Sequence, residues 1–207
     1  MALELNEGIT LYLARHGETV ANVEHRFQGR TDTPLTDRGR AQAKMVASIL
    51  ADRLKGKPTP RFVSSPLPRA RTTMGLILQA LGLSLVYATD PRLMEINLGA
   101  WDGLTDDEAR ALDPAMWEKR THDKWNVRVP GGGENYAMVA ERLTAWAGEL
   151  KGDTVAISHG AATRIFRGLA SGLDWEQMSA LDEPQDCVFV FRDGIMNRLD
   201  YEGPPIV

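Results

Sequence analysis

Three short apolar runs in this chain end in the same kind of chemistry. Ile9–Arg15 breaks off into Arg15-His16-Gly17, "RFVSS" (61–65) leads into "PLPRARTT", and "TVAIS" (154–158) ends in His159-Gly160. Each run is followed by a stretch with helical spacing. Short apolar runs alternating with helices read as strands of a parallel sheet, because parallel neighbours need long crossover connections. Such sheets place ligands beyond the carboxyl ends of their strands. If the three strands are neighbours, two histidines and at least one arginine meet at one place.

The remaining pattern fits that frame. "LTDRGRAQAKMVASILADRL" carries a cap signal at Thr36 and helical spacing through Ala43, Val46, Ala47, Ile49, Leu50 and Leu54. Pro68 suits the first turn of a helix that runs to about Leu81 and stops at Gly82. "SLVYAT" (84–89) reads as a strand, Thr105–Leu112 and Ala115–Arg120 as short helices, and Asn135–Lys151 as a longer one. A helix follows His159, and "CVFVFRDGIMNRLDYEG" reads as a hairpin turning on Asp193-Gly194. The expected fold class is α/β, a three-layer α/β/α sandwich whose mostly parallel sheet carries an antiparallel edge strand. At 207 residues the expectation is one domain over 1–207, with 91–132 as an excursion covering the site.

Charge and composition exclude several classes. A formal net charge of −4 is the wrong sign for a nucleic-acid binder. No apolar run reaches the roughly 18 residues of a membrane span, and "MALELNEGIT" lacks the basic and apolar regions of a signal peptide. The single cysteine, Cys187, lies in the apolar run "CVFVF" and reads as an inert strand residue; a cytoplasmic location is the expectation.

Arginine forks match phosphate oxygens, and glycines let a backbone approach a ligand closely. The strand ends therefore describe a phosphate pocket in an acidic protein. The chain has neither a G-x-x-x-x-G-K-[ST] loop nor a G-x-G-x-x-G fingerprint, and "PGGGEN" reads as a flexible turn into a helix. Its four histidines, His16, His25, His122 and His159, show no metal-ligand spacing, so neither metal nor cofactor is expected. A histidine beside arginines in a phosphate pocket then has one main task, to act as the nucleophile that takes the phosphoryl group on a ring nitrogen.

"LARHGETVAN" resembles the signature of the histidine phosphatase superfamily, the phosphoglycerate mutase-like phosphatases. The likeness continues in order through "RFQGRTDTPLTDRGRAQA", "SSPLPRARTT", "LMEINLGAWDG" and "SHGAATR". The resemblance implies a phosphoglycerate mutase-like fold and a role for each matching residue. His16 is the nucleophile, and Arg15, Arg69 and His159 surround the phosphoryl group. Asn22, Gln28, the Gly29 backbone and Gly160 complete the pocket. Glu95 is the proton donor, with Asp102 as the second candidate. Arg71 is assigned a structural task, and Glu18 supports the loop.

Three functions compete. A phosphomonoesterase is favoured over a phosphoglycerate mutase because the second histidine motif reads His-Gly-Ala rather than His-Gly-Asn and the chain is shorter than mutases of this family. In addition, Arg110, Lys119, Arg120, Lys124 and Arg128 are scattered rather than paired. A non-catalytic phospholigand-binding protein is the third reading. The expected partner is a small-molecule phosphate ester, with no nucleic acid and no membrane; a homodimer stays open. Trp101, Trp117 and Trp125 are either pocket walls or packing residues. Sugar phosphates, phosphoglycerate and nucleotide-loop phosphates such as ribazole phosphate all stay open as substrates.

Overall fold

The computed structural model describes residues 3–204 and 206. Met1, Ala2, Pro205 and Val207, at the ends of the expected 1–207 domain, lie outside the described residues. The strands are β1 (Leu11–Arg15), β2 (Arg61–Ser64), β3 (Ala88–Thr89), β4 (Thr154–Ser158), β5 (Cys187–Arg192) and β6 (Ile195–Asp200). They form one sheet in the order β3-β2-β4-β1-β5-β6. The β3–β2, β2–β4 and β4–β1 pairs are parallel, and β1–β5 and β5–β6 are antiparallel. Asp193 and Gly194 turn the final hairpin with φ of 49° and 75°, the left-handed pair that a tight hairpin turn requires.

Among the described residues eight helices accompany the sheet: α1 (Val20–Val23), α2 (Asp37–Leu54), α3 (Pro68–Ala80), α4 (Asp106–Leu112), α5 (Pro114–His122), α6 (Tyr136–Gly148), α7 (Gly160–Ala170) and α8 (Trp175–Ala180). Alternation along β1 divides the core in two. Tyr12 and Ala14 pack with Val46, Leu50, Met74 and Ile77 of α2 and α3. Leu11 and Leu13 pack on the opposite face with Val139, Leu143, Ile165 and Phe166 of α6 and α7. Burying a large apolar side chain is worth about 1.5–3 kcal/mol, so both layers are held by the strand's period of two.

Several boundaries differ from expectation. "SLVYAT" narrows to Ala88–Thr89, because Leu85 and Val86 are 64% and 83% exposed and have no core to join. Neither α1 nor α8 was anticipated. Both are single-turn elements whose capping boxes, Thr19 with Asn22 and Asp174 with Gln177, are present in the sequence.

Register brings the strand ends together. Arg15 pairs with Ser158, and Ser64 with Ile157. One residue further on, the His16 N–H donates to the Ser158 carbonyl at 3.0 Å and the Ser65 N–H to that of Ile157 at 2.9 Å. His159 caps α7 directly after β4. Segment 91–132 leaves the sheet as two 3-10 turns, α4 and α5. It returns beneath Gly99, where a Cβ would stand 2.1 Å from the Pro130 carbonyl oxygen.

Candidate active site

His16 is 3% exposed. Its Nδ1 lies 2.8 Å from the Gly17 carbonyl, to which it donates, so Nε2 keeps its lone pair. Nε2 in turn accepts from Arg69 Nε at 3.2 Å. Burial, then Arg15 and Arg69, hold the His16 pKa well below the ordinary value and keep the ring neutral. Gly17 is needed for packing rather than for a ligand: a Cβ there would stand 2.1 Å from the Gly39 carbonyl oxygen at the start of α2.

Arg69 departs from the expected role of a fork presented to phosphate. Its Nη1 donates to the Thr31 carbonyl and Asp32, and its Nη2 to the carbonyls of Gln28 and Gly29, at 2.9–3.0 Å. The fork faces the 28–32 loop, and only Nε–H is turned to the histidine. Arg15 differs. Its Nη1 donates to the Glu183 carbonyl at 2.6 Å, while its buried Nε has no partner among the described residues. Arg71, two residues beyond Arg69, is exposed.

His159 is fully buried, with its ring edge-on to His16 and the centroids 5.1 Å apart. His159 Nε2 lies 2.7 Å from Ser65 Oγ, which also accepts the Leu67 N–H. His159 Nδ1 is buried with no partner among the described residues, and where Ser65 donates to Nε2 this second nitrogen carries the proton. Burial, then Arg69 and His16, keep His159 neutral, so the geometry supports a neutral donor rather than an imidazolium.

Glu95 is buried against the first turn of α7. Its carboxylate accepts the N–H groups of Ile96, Ala161 and Ala162 at 2.8–3.1 Å. Those donors favour the anion. Burial and then the Glu183 carboxylate oppose them and raise the Glu95 pKa above the usual carboxylate range. Asp102, the second candidate acid, does something else. It accepts the N–H groups of Gly29, Arg30 and Thr31 and the Thr31 hydroxyl at 2.7–2.9 Å. Despite partial burial, these bonds lower its pKa, so the geometry supports a loop-holding anion.

The expected pocket ligands divide. Asn22 lines the cavity, its Oδ1 taken by Thr19 N–H and Gln185 Nε2. The Gln28 amide is held by Thr19 and Thr33. The Gly29 N–H goes to Asp102 and its carbonyl to Arg69, so this backbone is spent inside the protein. Gly160 meets Glu183, whose Oε2 would stand 2.2 Å from a Cβ built there. Glu18 braces the loop by accepting from Thr36 Oγ1 at 2.8 Å.

His16, Arg15 and Glu95 open onto a cavity of about 510 Å³. Hollows of about 590 and 610 Å³ lie beside the final hairpin and between α2 and β6, but neither has a histidine in its wall. Trp101 and Trp117 wall the cavity with Phe27, while Trp125 lines a separate hollow together with Leu169 and Met178. Arg120 and Lys124, read as scattered charges, converge here with Arg164. Arg120 is 6% exposed and makes one hydrogen bond, to the Val127 carbonyl. Burial, followed by Arg164 and Arg120, lowers the Lys124 pKa. Three cations that repel one another beside a cavity form a site for an anion. Periodicity hides them, because α5, the loop after it and α7 meet only in three dimensions. Arg164 left one trace: it is four residues from Gly160 and so on the same face of α7.

Among the described residues no three His, Cys, Asp or Glu side chains cluster as metal ligands, and no helix is long and apolar enough to cross a membrane. Cys187 is buried, its thiol pKa pushed up to about 12 by burial.

Residues 11–193 match the sequence family described as the histidine phosphatase superfamily (branch 1). A Yersinia pestis protein named "Probable phosphoglycerate mutase GpmB" is 31% identical over 202 residues, covering 95% of this chain and 87% of that one. The solved alpha-ribazole phosphatase of Shigella flexneri superposes with a TM-score of 0.78 at 24% identity, over 94% of this chain and 96% of its own. A mycobacterial glucosyl-3-phosphoglycerate phosphatase superposes at 0.72 with 29% identity, over 95% and 100%.

Proposed function

The chain belongs to the histidine phosphatase superfamily, and from that premise we propose that it is a metal-independent phosphomonoesterase working through a phosphohistidine on His16. The observation that carries this is the buried neutral imidazole, tautomer fixed by Gly17, opening with Glu95 onto one cavity. His16 Nε2 attacks phosphorus and the phosphorus–oxygen ester bond breaks. Glu95, its pKa raised, gives its proton to the leaving alkoxide. Arg15, the Arg69 Nε–H and the His159 Nδ1–H stabilise charge on the equatorial oxygens. Water then attacks the phosphohistidine, the Glu95 carboxylate takes its proton, and phosphate leaves with His16 neutral again.

Arg120, Lys124 and Arg164 support a substrate class: a small phosphomonoester with a second anionic group. Two relatives carry names containing phosphoglycerate, a phosphate ester with a carboxylate. A mutase is the second reading, favoured by the name of the Yersinia relative and by these same cations. Quenching a reaction with radiolabelled substrate tests the first step: acid-labile phosphate is expected on His16, and label elsewhere refutes the assignment. With 3-phosphoglycerate and catalytic bisphosphate, phosphate release is expected; rapid 2-phosphoglycerate formation without release selects the mutase.

A further inference from the structure

Glu183 enters the chemistry above only by helping to raise the Glu95 pKa, yet it sits inside the same cavity. It lies in the loop between α8 and β5. The loop is pinned on both sides: Asp182 pairs with Arg167 and Arg198, and Gln185 donates to the His16 carbonyl and Asn22. Pinned in this way, Glu183 turns its carboxylate inward. Oε1 lies 3.1 Å from Arg164 Nη1, and Oε2 lies 3.6 Å from Arg15 Nη1 and rests on the Cα of Gly160 at the start of α7. A carboxylate between two arginines at a helix N-terminus occupies ground suited to a phosphate or second anion.

We propose that Glu183 is a resident counter-anion of the pocket, one that a phosphate ligand must displace from Arg15. The inference rests on the reading of this cavity as a phosphate pocket. Its chemical consequence falls mainly on the product. An arginine-lined site binds dianionic phosphate tightly, and tight product retention slows turnover. A fixed carboxylate raises the free energy of any dianion close to it and gives the arginines a partner when phosphate departs. Glu183 is 28% exposed at the side chain, so it can swing towards water while the pinned backbone stays in place. It faces Arg15 from β1, Arg164 and Gly160 from α7, and Glu95 from the segment after β3.

The test is phosphate affinity, measured by calorimetric titration of wild type, E183Q and E183D with inorganic phosphate, beside steady-state inhibition by phosphate. E183Q is expected to bind phosphate roughly tenfold more tightly, to show a lower KM, and to lose kcat as release slows. E183D keeps the charge and is expected to stay near wild type. A loop brace without electrostatic function predicts the opposite, weaker binding in E183Q. Equal or weaker binding by E183Q overturns the inference while leaving the phosphate pocket intact; no phosphate binding by wild type or variant overturns the pocket itself. If E183Q does not fold, the unaltered protein crystallised with phosphate decides: the Glu183 carboxylate is expected to have left Arg15, and a carboxylate still at the present 3.6 Å refutes the idea.

Discussion

Arg69 Nε lies 3.2 Å from His16 Nε2, while the four acceptors of its fork, the carbonyls of Gln28, Gly29 and Thr31 and the Asp32 carboxylate, all belong to the 28–32 loop. The arginine thus joins the nucleophile to that loop and keeps one donor for the pocket. R69K removes the Nε–H and cannot satisfy the loop acceptors. It is expected to lose at least about 10² in kcat, the scale of one charge-stabilising donor. It should also unfold earlier, by about 1–3 kcal/mol for the unsatisfied acceptors. Single-turnover rates and thermal melts check both; wild-type stability in R69K contradicts the second.

H16A is expected to have no turnover, whereas H159A keeps a residue of it, reduced by about 10²–10³. In the proposed mechanism His16 forms the bond, whereas His159 only donates to an oxygen. Comparable residual rates in both variants would undo the distinction.

On the proposed mechanism the pH profile of kcat/KM on an alkyl phosphate is expected to report His16 and Glu95 in the free enzyme. His16 attacks when neutral, and its pKa is lowered, so the acid limb lies below the ordinary histidine value. Glu95 donates when protonated, and its pKa is raised, so the basic limb lies above the ordinary carboxylate value. E95Q is expected to lose about 10²–10⁴ on alkyl phosphates and much less on p-nitrophenyl phosphate in a single turnover, because nitrophenolate leaves without a proton. Equal losses on both esters mean that Glu95 binds rather than donates.

Asp102 predicts a different signature. D102N weakens the bonds to three backbone N–H groups, so about 1–3 kcal/mol of stability is expected to go at neutral pH. A carboxylate with a depressed folded-state pKa contributes stability above its unfolded pKa and loses it as pH falls through the depressed value. The gap between wild type and D102N should therefore close in acid. Any rate loss should be the same for good and poor leaving groups; a leaving-group dependence would return Asp102 to the role of acid.

R120A and K124A are expected to raise KM about tenfold or more for phosphate esters with a second anionic group, the scale of a charge-assisted hydrogen bond. On p-nitrophenyl phosphate they should change little. Equal effects on both substrates would remove the second-anion subsite. Exhaustive chelation is expected to leave all these activities unchanged, since Arg15, Arg69 and His159 supply the positive charge and donors.

Much of this protein is legible in one dimension. The period of two in β1 and the spacing along α2 place both core layers, and Thr36 and Pro68 mark where helices begin, because caps and side-chain alternation are local properties of the backbone. The strand ends at His16, Ser65 and His159 announce a site for the same reason. Local order also misleads: "SLVYAT" has the composition of a strand, but Leu85 and Val86 meet solvent instead of a core. What only the tertiary structure decided is the use of each polar group. Asp102 and Glu95 look alike as carboxylates seven residues apart, yet one is wrapped by the N–H groups of a distant loop and the other is buried at a helix N-terminus beside Glu183. Arg69 turns its fork away from the cavity, and Arg120, Lys124 and Arg164 assemble from three segments. Proton affinity and charge stabilisation depend on which groups lie within a few ångströms and how much water is excluded, and those distances exist only after the chain has folded.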